Sequence, residues 1–148
     1  KIGTGTFAQV RLGINKSTGA QRALKIISKN RFNPDQEQIL QNEIDIHKEL
    51  DHPNIAKIYE YFKDENRMCM VLELCSGGEL HDKIKKHTRF TEHQARIYMI
   101  QILKTINYIH FKGFVHRDVK PENIMIDGSD NSIKFIDFGL SKYIQEGE

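Results

Sequence analysis

The sequence predicts an α+β fold in two parts, a strand-rich stretch over residues 1–74 and a segment over residues 75–148 that turns helical. Two observations predict it. Most of the chain up to Leu74 reads as short strands joined by polar turns, with one helical stretch among them, whereas from Thr91 apolar residues recur at helical spacing. Between the two regimes stands Ser76-Gly77-Gly78, a turn-forming boundary.

Taken in order, Gln9 to Ile14 alternates polar and apolar residues as a half-buried strand does, and Asn15-Lys16-Ser17-Thr18-Gly19 supplies a turn. A second strand is expected at about Gln21 to Ile27. From Gln36 to Leu50 the period becomes helical, with Ile39, Glu43, Ile46 and Leu50 along one stripe, so that Glu43 falls on the face expected to be buried. Asp51-His52-Pro53-Asn54 ends that helix. Ile55 to Phe62 and Arg67 to Leu74 then read as an antiparallel hairpin turning at Asp64-Glu65-Asn66.

Thr91 with Gln94 three residues on is a capping-box start for a long helix, in which Ala95, Tyr98, Met99, Ile102, Ile106 and Ile109 recur until Gly113. Two strand-like pieces follow, Ile124 to Ile126 and Ile133 to Ile136, separated by the turn-rich residues 127–132. The chain opens on Lys1-Ile2 ahead of a glycine cluster and closes on Gln145-Glu146-Gly147-Glu148 with no helix-stop or strand pattern before it. Both ends read as cut.

At 148 residues the length fits one ordinary domain, and 22 lysines and arginines against 20 aspartates and glutamates argue against a general polyanion binder. No basic patch points to nucleic acid. Cys69 and Cys75 sit in or just after an apolar run, where small buried thiols are commoner than a disulfide framework, so a reducing, cytoplasmic setting is expected. No apolar run is long enough to span a membrane, and neither repeats nor low-complexity tracts are present.

Four clusters carry chemistry. Gly3-Thr4-Gly5-Thr6-Phe7-Ala8-Gln9-Val10 leads into a strand, and glycines there let backbone N–H groups approach phosphate oxygens. Alone, it fits a tight turn as well as a nucleotide loop. In Arg22-Ala23-Leu24-Lys25-Ile26-Ile27 the strand period puts Ala23, small enough to admit a flat ring, on the same face as Lys25, long enough to reach phosphates. Lys25 amid apolar residues and Glu43 on an apolar stripe are expected to pair, since buried opposite charges usually require each other.

His116-Arg117-Asp118-Val119-Lys120-Pro121-Glu122-Asn123 gathers a carboxylate, an ammonium and an amide after the long helix. Asp118 can accept a hydroxyl proton, Lys120 can neutralise a transferring phosphoryl group, and Asn123 offers a hard oxygen to Mg²⁺. Asp137-Phe138-Gly139 ends the strand-like run Ile133-Lys134-Phe135-Ile136 and supplies a second metal-binding oxygen beside that loop.

In this order the clusters resemble the signature set of eukaryotic-type serine/threonine protein kinase catalytic domains, and the resemblance covers essentially the whole chain. It implies a bilobal fold, with a small antiparallel-sheet lobe over residues 1–74, its first strand incomplete, and a hinge with the beginning of a mainly helical lobe over residues 75–148. It implies that ATP and Mg²⁺ bind between the lobes, with Gly3 and Gly5 in the phosphate loop, and that Lys25, paired with Glu43, holds the α- and β-phosphates. Val10, Ala23 and Met125 are expected to sandwich adenine, with Leu72 as gatekeeper and backbone groups around Glu73 and Cys75 bonding the base. Asp118 is the implied catalytic base, Lys120 the contact to the γ-phosphate, and Asn123 and Asp137 the Mg²⁺ ligands. A lysine two residues after the catalytic aspartate is similar to serine/threonine rather than tyrosine kinases.

Leu50-Asp51-His52-Pro53-Asn54-Ile55, Gly77-Gly78-Glu79-Leu80 and Phe138-Gly139-Leu140-Ser141 resemble calcium-dependent and calcium/calmodulin-regulated kinases above all. That likeness implies protein substrates with a basic residue, arginine at the third position before the target, read by Glu79 and Glu122. It also implies a calcium-sensing module or calmodulin outside these residues, since no EF-hand loop lies within them. Ala8 stands at the third loop-glycine position, a small-for-small exchange. His47 takes a place the family usually gives to an apolar residue in a stack with Ile58, Phe138 and His116, and a polar ring there is expected to loosen the active arrangement, so that His47→Leu raises activity.

With no Ala-Pro-Glu motif and no later helices, the chain alone is expected to expose apolar surface on the 91–112 helix, to aggregate and to be nearly inactive. Two rival readings are a nucleotide-binding pseudokinase and a small-molecule kinase of the same fold. The presence of Lys25, Asp118 and Asp137 weighs against the first, and Lys120-Pro121-Glu122-Asn123 with Gly77-Gly78-Glu79 against the second.

Overall fold

The computed structural model describes residues 3–4, 8–31, 34–128 and 131–144, which form an α+β structure. The chain divides into two compact units, Lys1–Asn42 with Lys57–Leu74, and Glu43–Ala56 with Cys75–Glu148. The expected division at 74/75 is one of the places where the units part. Residues 43–56 fall with the second unit because Ile46, Leu50 and Ile55 are buried in its core.

The first unit is built on a five-stranded antiparallel sheet of order β1-β2-β3-β5-β4, formed by β1 (Gly3–Thr4), β2 (Ala8–Ile14), β3 (Gln21–Ser28), β4 (Ile58–Lys63) and β5 (Arg67–Leu72). Its turns follow from side chains that replace missing ladder bonds. Asn15 Oδ1 accepts from the amides of Ser17 and Thr18 at 2.9 and 3.0 Å, and Asp64 Oδ1 accepts from those of Asn66 and Arg67, both at 2.7 Å. Those two bonds hold the Asp64 carboxyl below its usual range. The alternation over β2 does not bury Leu12 and Ile14, which remain 46% and 62% exposed.

The hairpin strand read as Arg67 to Leu74 ends at Leu72, because Glu73 leaves the ladder: its amide donates to Lys57 O at 2.9 Å while its carboxylate accepts from the Lys57 amide at 3.1 Å. β4 starts at Ile58 rather than Ile55, which instead bridges to Phe135, and its register is interrupted between Ile58 and Glu60.

Helix α1 (Pro34–Glu49) starts two residues before the expected Gln36. Its buried face is broader than the expected stripe and shifts along the helix: Leu40 and Ile44 are buried toward its start, Ile46, His47 and Leu50 at its end, and Ile39 is 57% exposed. Consecutive helical residues lie about 100° apart, so a face centred on Leu40 and Ile44 turns Ile39 outward. Glu43 is half-buried.

The core of the second unit gathers Leu80 from α2 (Leu80–His87), Tyr98, Ile102 and Ile109 from α3 (Glu92–Phe111), and Ile124, Ile133 and Phe135 from a hairpin of β7 (Ile124–Asp127) and β8 (Ser132–Phe135). α2 is too short and lysine-rich for its period to show in the sequence. The capping box of α3 forms as expected: Thr91 Oγ1 accepts from the Gln94 amide at 3.2 Å and Gln94 Oε1 from the Thr91 amide at 3.1 Å. Met99, expected on the buried face, is 47% exposed, as are Leu103 at 58% and Phe111 at 85%, so α3 presents an apolar face to solvent.

One polar network sews α3 to the β8 end of the core. Asn54 Nδ2 donates to Gln101 Oε1 at 3.0 Å and to Ile133 O at 2.9 Å, while Gln101 Oε1 also accepts from the Ile133 amide at 3.0 Å. Where no strand pattern was expected before the chain's last residues, Lys142–Tyr143 forms β9 and pairs with β6 (Phe114–Val115). A strand this short leaves no periodicity to read; it is fixed by the Tyr143 ring against Phe114, 4.4 Å between centroids.

Candidate active site

In the second unit the loop between β6 and β7 is anchored by a buried imidazole. His116 is 3% exposed, meets Phe135 edge-on at 5.4 Å and Phe138 at 5.1 Å, and its Nδ1 accepts from the Asp118 amide at 3.2 Å. Burial pushes its pKa down, opposed by the nearby negative charges of Asp137 and Asp118. Arg117 follows in the left-handed region, φ 65°, where a side-chain-bearing residue is held only by its surroundings; its Nε donates to Leu140 O at 2.5 Å.

This backbone kink presents the next residues as a group. Lys120 Nζ lies 2.7 Å from Asp118 Oδ2, and Asn123 Nδ2 donates to Asp118 Oδ2 at 2.8 Å and to Asp118 O at 2.9 Å. Lys120 and then Asn123 hold the Asp118 carboxyl below its usual range, and Asp118 pushes the Lys120 ammonium up. Both are therefore charged at neutral pH. Asn123 is buried, and its Nδ2 is committed to Asp118, which leaves Oδ1 as the side chain's acceptor.

The Ile136 amide donates to Asn123 O at 3.1 Å, which brings the end of the β8 run, and Asp137 after it, beside the loop. Asp137 Oδ1 accepts from the Gly139 amide at 3.0 Å. A Cβ built on Gly139 would stand 3.2 Å from Asp137 Oδ1 and 3.3 Å from Glu43 Oε2, so Glu43 and Asp137 close in on the same glycine. Asp118, Lys120, Asn123, Asp137 and Glu43 thus belong to one unit; the first three are joined by hydrogen bonds, and Asp137 follows Ile136, whose amide reaches Asn123 O. Among the described residues no group of three or more His, Cys, Asp or Glu side chains is poised to hold a metal. The hard-oxygen pair Asn123 and Asp137 nonetheless suits Mg²⁺, which is held by one or two protein oxygens together with substrate phosphates and water.

Phe138 is 1% exposed and stacks with His47, ring centroids 4.6 Å apart. Phe138 also meets the His116 ring, so the three rings are in contact one with the next. The expected looseness loses its premise, however, because His47 Nε2 meets Ala56 O at 2.6 Å, so its polar atom is satisfied.

Gly77-Gly78-Glu79 is strapped to β7: the Gly77 amide donates to Ile126 O at 2.9 Å, Ile126 donates to Gly78 O at 2.8 Å, and Glu79 bridges to Met125. A Cβ on Gly77 would meet Ile126 O at 2.7 Å, a backbone atom that cannot yield, so only glycine fits. His81 Nδ1 lies 3.5 Å from Glu122 Oε1. Cys75 is half-buried.

In the first unit the register opposes Val10 to Lys25 and Leu12 to Ala23, and pairs Lys25 with Met70 and Ala23 with Leu72. Directly opposed residues share a sheet face, as do residues two apart. Val10, Ala23, Lys25 and Leu72 therefore lie on one face. Lys25 is half-buried, and Gly3 pairs with Val10 in the β1–β2 ladder. Gly5 lies outside the described residues.

One contact had no signal in the sequence. Tyr143 donates to Glu49 Oε1 at 2.7 Å, tying β9 to the last turn of α1 across 94 residues of chain, and this bond pushes the Tyr143 phenol up.

The family model of the protein kinase domain matches residues 1–148. Among curated relatives, the chain is 48% identical over 143 residues to calcium-dependent protein kinase 5 of Plasmodium berghei, covering 95% of this chain and 25% of that protein. It is 44% identical over 139 residues to maternal embryonic leucine zipper kinase of Xenopus tropicalis, covering 94% and 21% respectively. To CBL-interacting protein kinase 24 of Oryza sativa it is 42% identical over 147 residues, covering 99% and 32%. The chain thus spans between a fifth and a third of the length of these relatives.

Proposed function

The chain belongs to the protein kinase domain family, and from that premise we propose that the protein carrying it transfers the γ-phosphoryl group of ATP to serine and threonine hydroxyls of proteins. The observation that carries this reading is the charged cluster in which Lys120 and Asn123 both hold Asp118 by its carboxylate, beside Asp137. Asp118 takes the hydroxyl proton as the substrate oxygen bonds to phosphorus and the bond to the ADP oxygen breaks. Lys120 balances negative charge on the γ-phosphate. Asn123 and Asp137 are the residues that would hold Mg²⁺, which when bound supplies positive charge to the phosphates.

In the same reading residues 1–74 and 75–148 are the two lobes around the nucleotide. Gly3 and Gly5 lie over its phosphates, and Lys25, paired with Glu43, holds the α- and β-phosphates. The shared face of Val10, Ala23 and Lys25 supports this, because it sets an apolar ring contact and a cation along one line of the sheet. Met125 closes the adenine site from the second lobe. Because the Glu73 amide is given to Lys57, the contact expected of Glu73 with the base falls to its carbonyl, and Cys75 supplies its backbone beyond.

The calcium-dependent kinases among the relatives support a calcium-dependent type, with a calcium-sensing module or calmodulin acting from outside residues 1–148. Glu79 and Glu122 favour a basic residue upstream of the target. No helix among the described residues is long and apolar enough to cross a membrane, and a cytoplasmic site of action is part of the proposal. Residues 1–148 alone are nearly inactive in this account, given the apolar face of α3 left open to solvent.

The test uses the full-length protein bearing this chain, Mg·ATP, and three peptides: serine with arginine three residues before it, the same with alanine there, and tyrosine in place of serine. Transfer to the first, about tenfold weaker to the second and absent from the third is expected. No transfer to any peptide rejects the proposal, and transfer to aminoglycoside or choline acceptors instead selects the small-molecule alternative.

A further inference from the structure

We infer that His81 is a specificity-determining residue, which shares the Glu122 carboxylate with an arginine of the protein substrate and tempers the selection of that arginine by its own protonation. The inference rests on the phosphoryl-transfer reading above and concerns the substrate named there. In the second unit His81 Nδ1 lies 3.5 Å from Glu122 Oε1.

Backbone holds this contact from both sides. His81 is the second residue of α2, whose first residue, Leu80, is buried in the core. Just ahead of it Glu79 bridges to Met125, and the Gly78 carbonyl accepts from the Ile126 amide at 2.8 Å, so the start of α2 is fixed to β7. Glu122 lies in the short turn Pro121–Asn123 that leads into the same strand, closed by the Asn123 amide on Lys120 O at 3.0 Å. Neither side chain is sealed off: they are 32% and 46% exposed, which leaves the carboxylate open to an incoming guanidinium.

A guanidinium binds a carboxylate best through both oxygens at once. An imidazolium at Oε1 occupies one of them and sets a like charge beside the arginine, so Glu122 then offers a single oxygen and less net charge. A neutral imidazole brings no such charge. Glu79, the other acid expected to read the arginine, makes no side-chain capping bond to α2. Lys120, two residues before Glu122, is given to Asp118 at 2.7 Å. The remaining charged groups around His81 are Asp82, Lys83 and Lys85 along α2 and Asp127 at the far end of β7, and of these Lys83 is held on Asn131 Oδ1 at 2.7 Å. Because the His81–Glu122 pair is exposed, its effect is a small factor in selectivity rather than a switch between substrates.

The experiment measures kcat/KM in the full-length protein with Mg·ATP for two serine peptides, one with arginine and one with alanine three residues before the serine. The ratio of the two is the readout, since any loss of folded enzyme cancels from it. His81→Ala is expected to raise the ratio about two- to fivefold at about pH 6, and His81→Arg, a cation at every pH used, to lower it. In wild type the ratio rises between about pH 6 and 8, whereas in His81→Ala it stays flat, the peptide arginine keeping its charge throughout. With Glu122→Gln in place, the same changes at 81 lose their effect. If His81→Ala does not melt cooperatively, His81→Gln, also uncharged, carries the same expectation. A ratio indifferent to the residue at 81 overturns the inference while phosphoryl transfer stands, as does a shift that survives Glu122→Gln. No transfer to either peptide brings down the phosphoryl-transfer reading itself, and this inference with it.

Discussion

Lys120 Nζ lies 2.7 Å from Asp118 Oδ2, and this ion pair is the largest cause holding the Asp118 carboxyl below its ordinary range. A base must be deprotonated to work, so a lowered pKa keeps Asp118 competent as the pH falls. Lys120→Ala removes the principal cause and lets the pKa rise. The acid limb of the pH–rate profile of the full-length protein is then expected to move to higher pH, alongside a fall in kcat of about 10²-fold. An unmoved acid limb would show that Asp118 does not set it.

The Asn54 amide spans the second unit's core through two bonds, to Gln101 Oε1 and to Ile133 O. Asn54→Ala takes a donor from the carbonyl of the buried Ile133 and leaves Gln101 Oε1 with the Ile133 amide as its remaining donor. We expect a loss of about 1–3 kcal/mol, read as a lowered denaturation midpoint. His52, whose Nδ1 accepts from the Asn54 amide at 3.1 Å, is untouched by that change.

Stability should also depend on pH through His116. Burial lowers its folded pKa, whereas in the unfolded chain it titrates near the ordinary value of about 6.5. Below that pH the unfolded state binds more protons, so stability is full above it and falls as the pH drops toward the folded pKa. His52, lowered by burial and by Lys134, adds a contribution of the same sign. Melting temperatures recorded between about pH 7.5 and 5 should decline, and His116→Phe should flatten part of that decline; an equal slope in the variant would contradict the assignment.

What was legible in the sequence follows from how local each signal is. The α3 capping box and the Asp64 turn are each set within a few residues, and both are found where the residues place them. The two-residue β9 and the short α2 carry too little period to read. The exposure of Ile39 and Met99 depends on which parts of the chain cover α1 and α3, information that no helical stripe contains. The His47 bond to Ala56 spans only nine residues, yet it was missed because a polar residue on an apolar stripe reads as a defect until its partner is seen. Tyr143 and Glu49, 94 residues apart, lie beyond any reading of spacing.

Substitution of Lys25, Asp118 and Asp137 one at a time, to Met, Asn and Asn, in the full-length protein tests the account most directly, with transfer of labelled phosphate from Mg·ATP to a serine peptide as the readout. Each change is expected to remove transfer by at least about 10²-fold while the melted fraction at the assay temperature stays that of wild type. Transfer within a few-fold of wild type in the Asp118→Asn protein would contradict it outright.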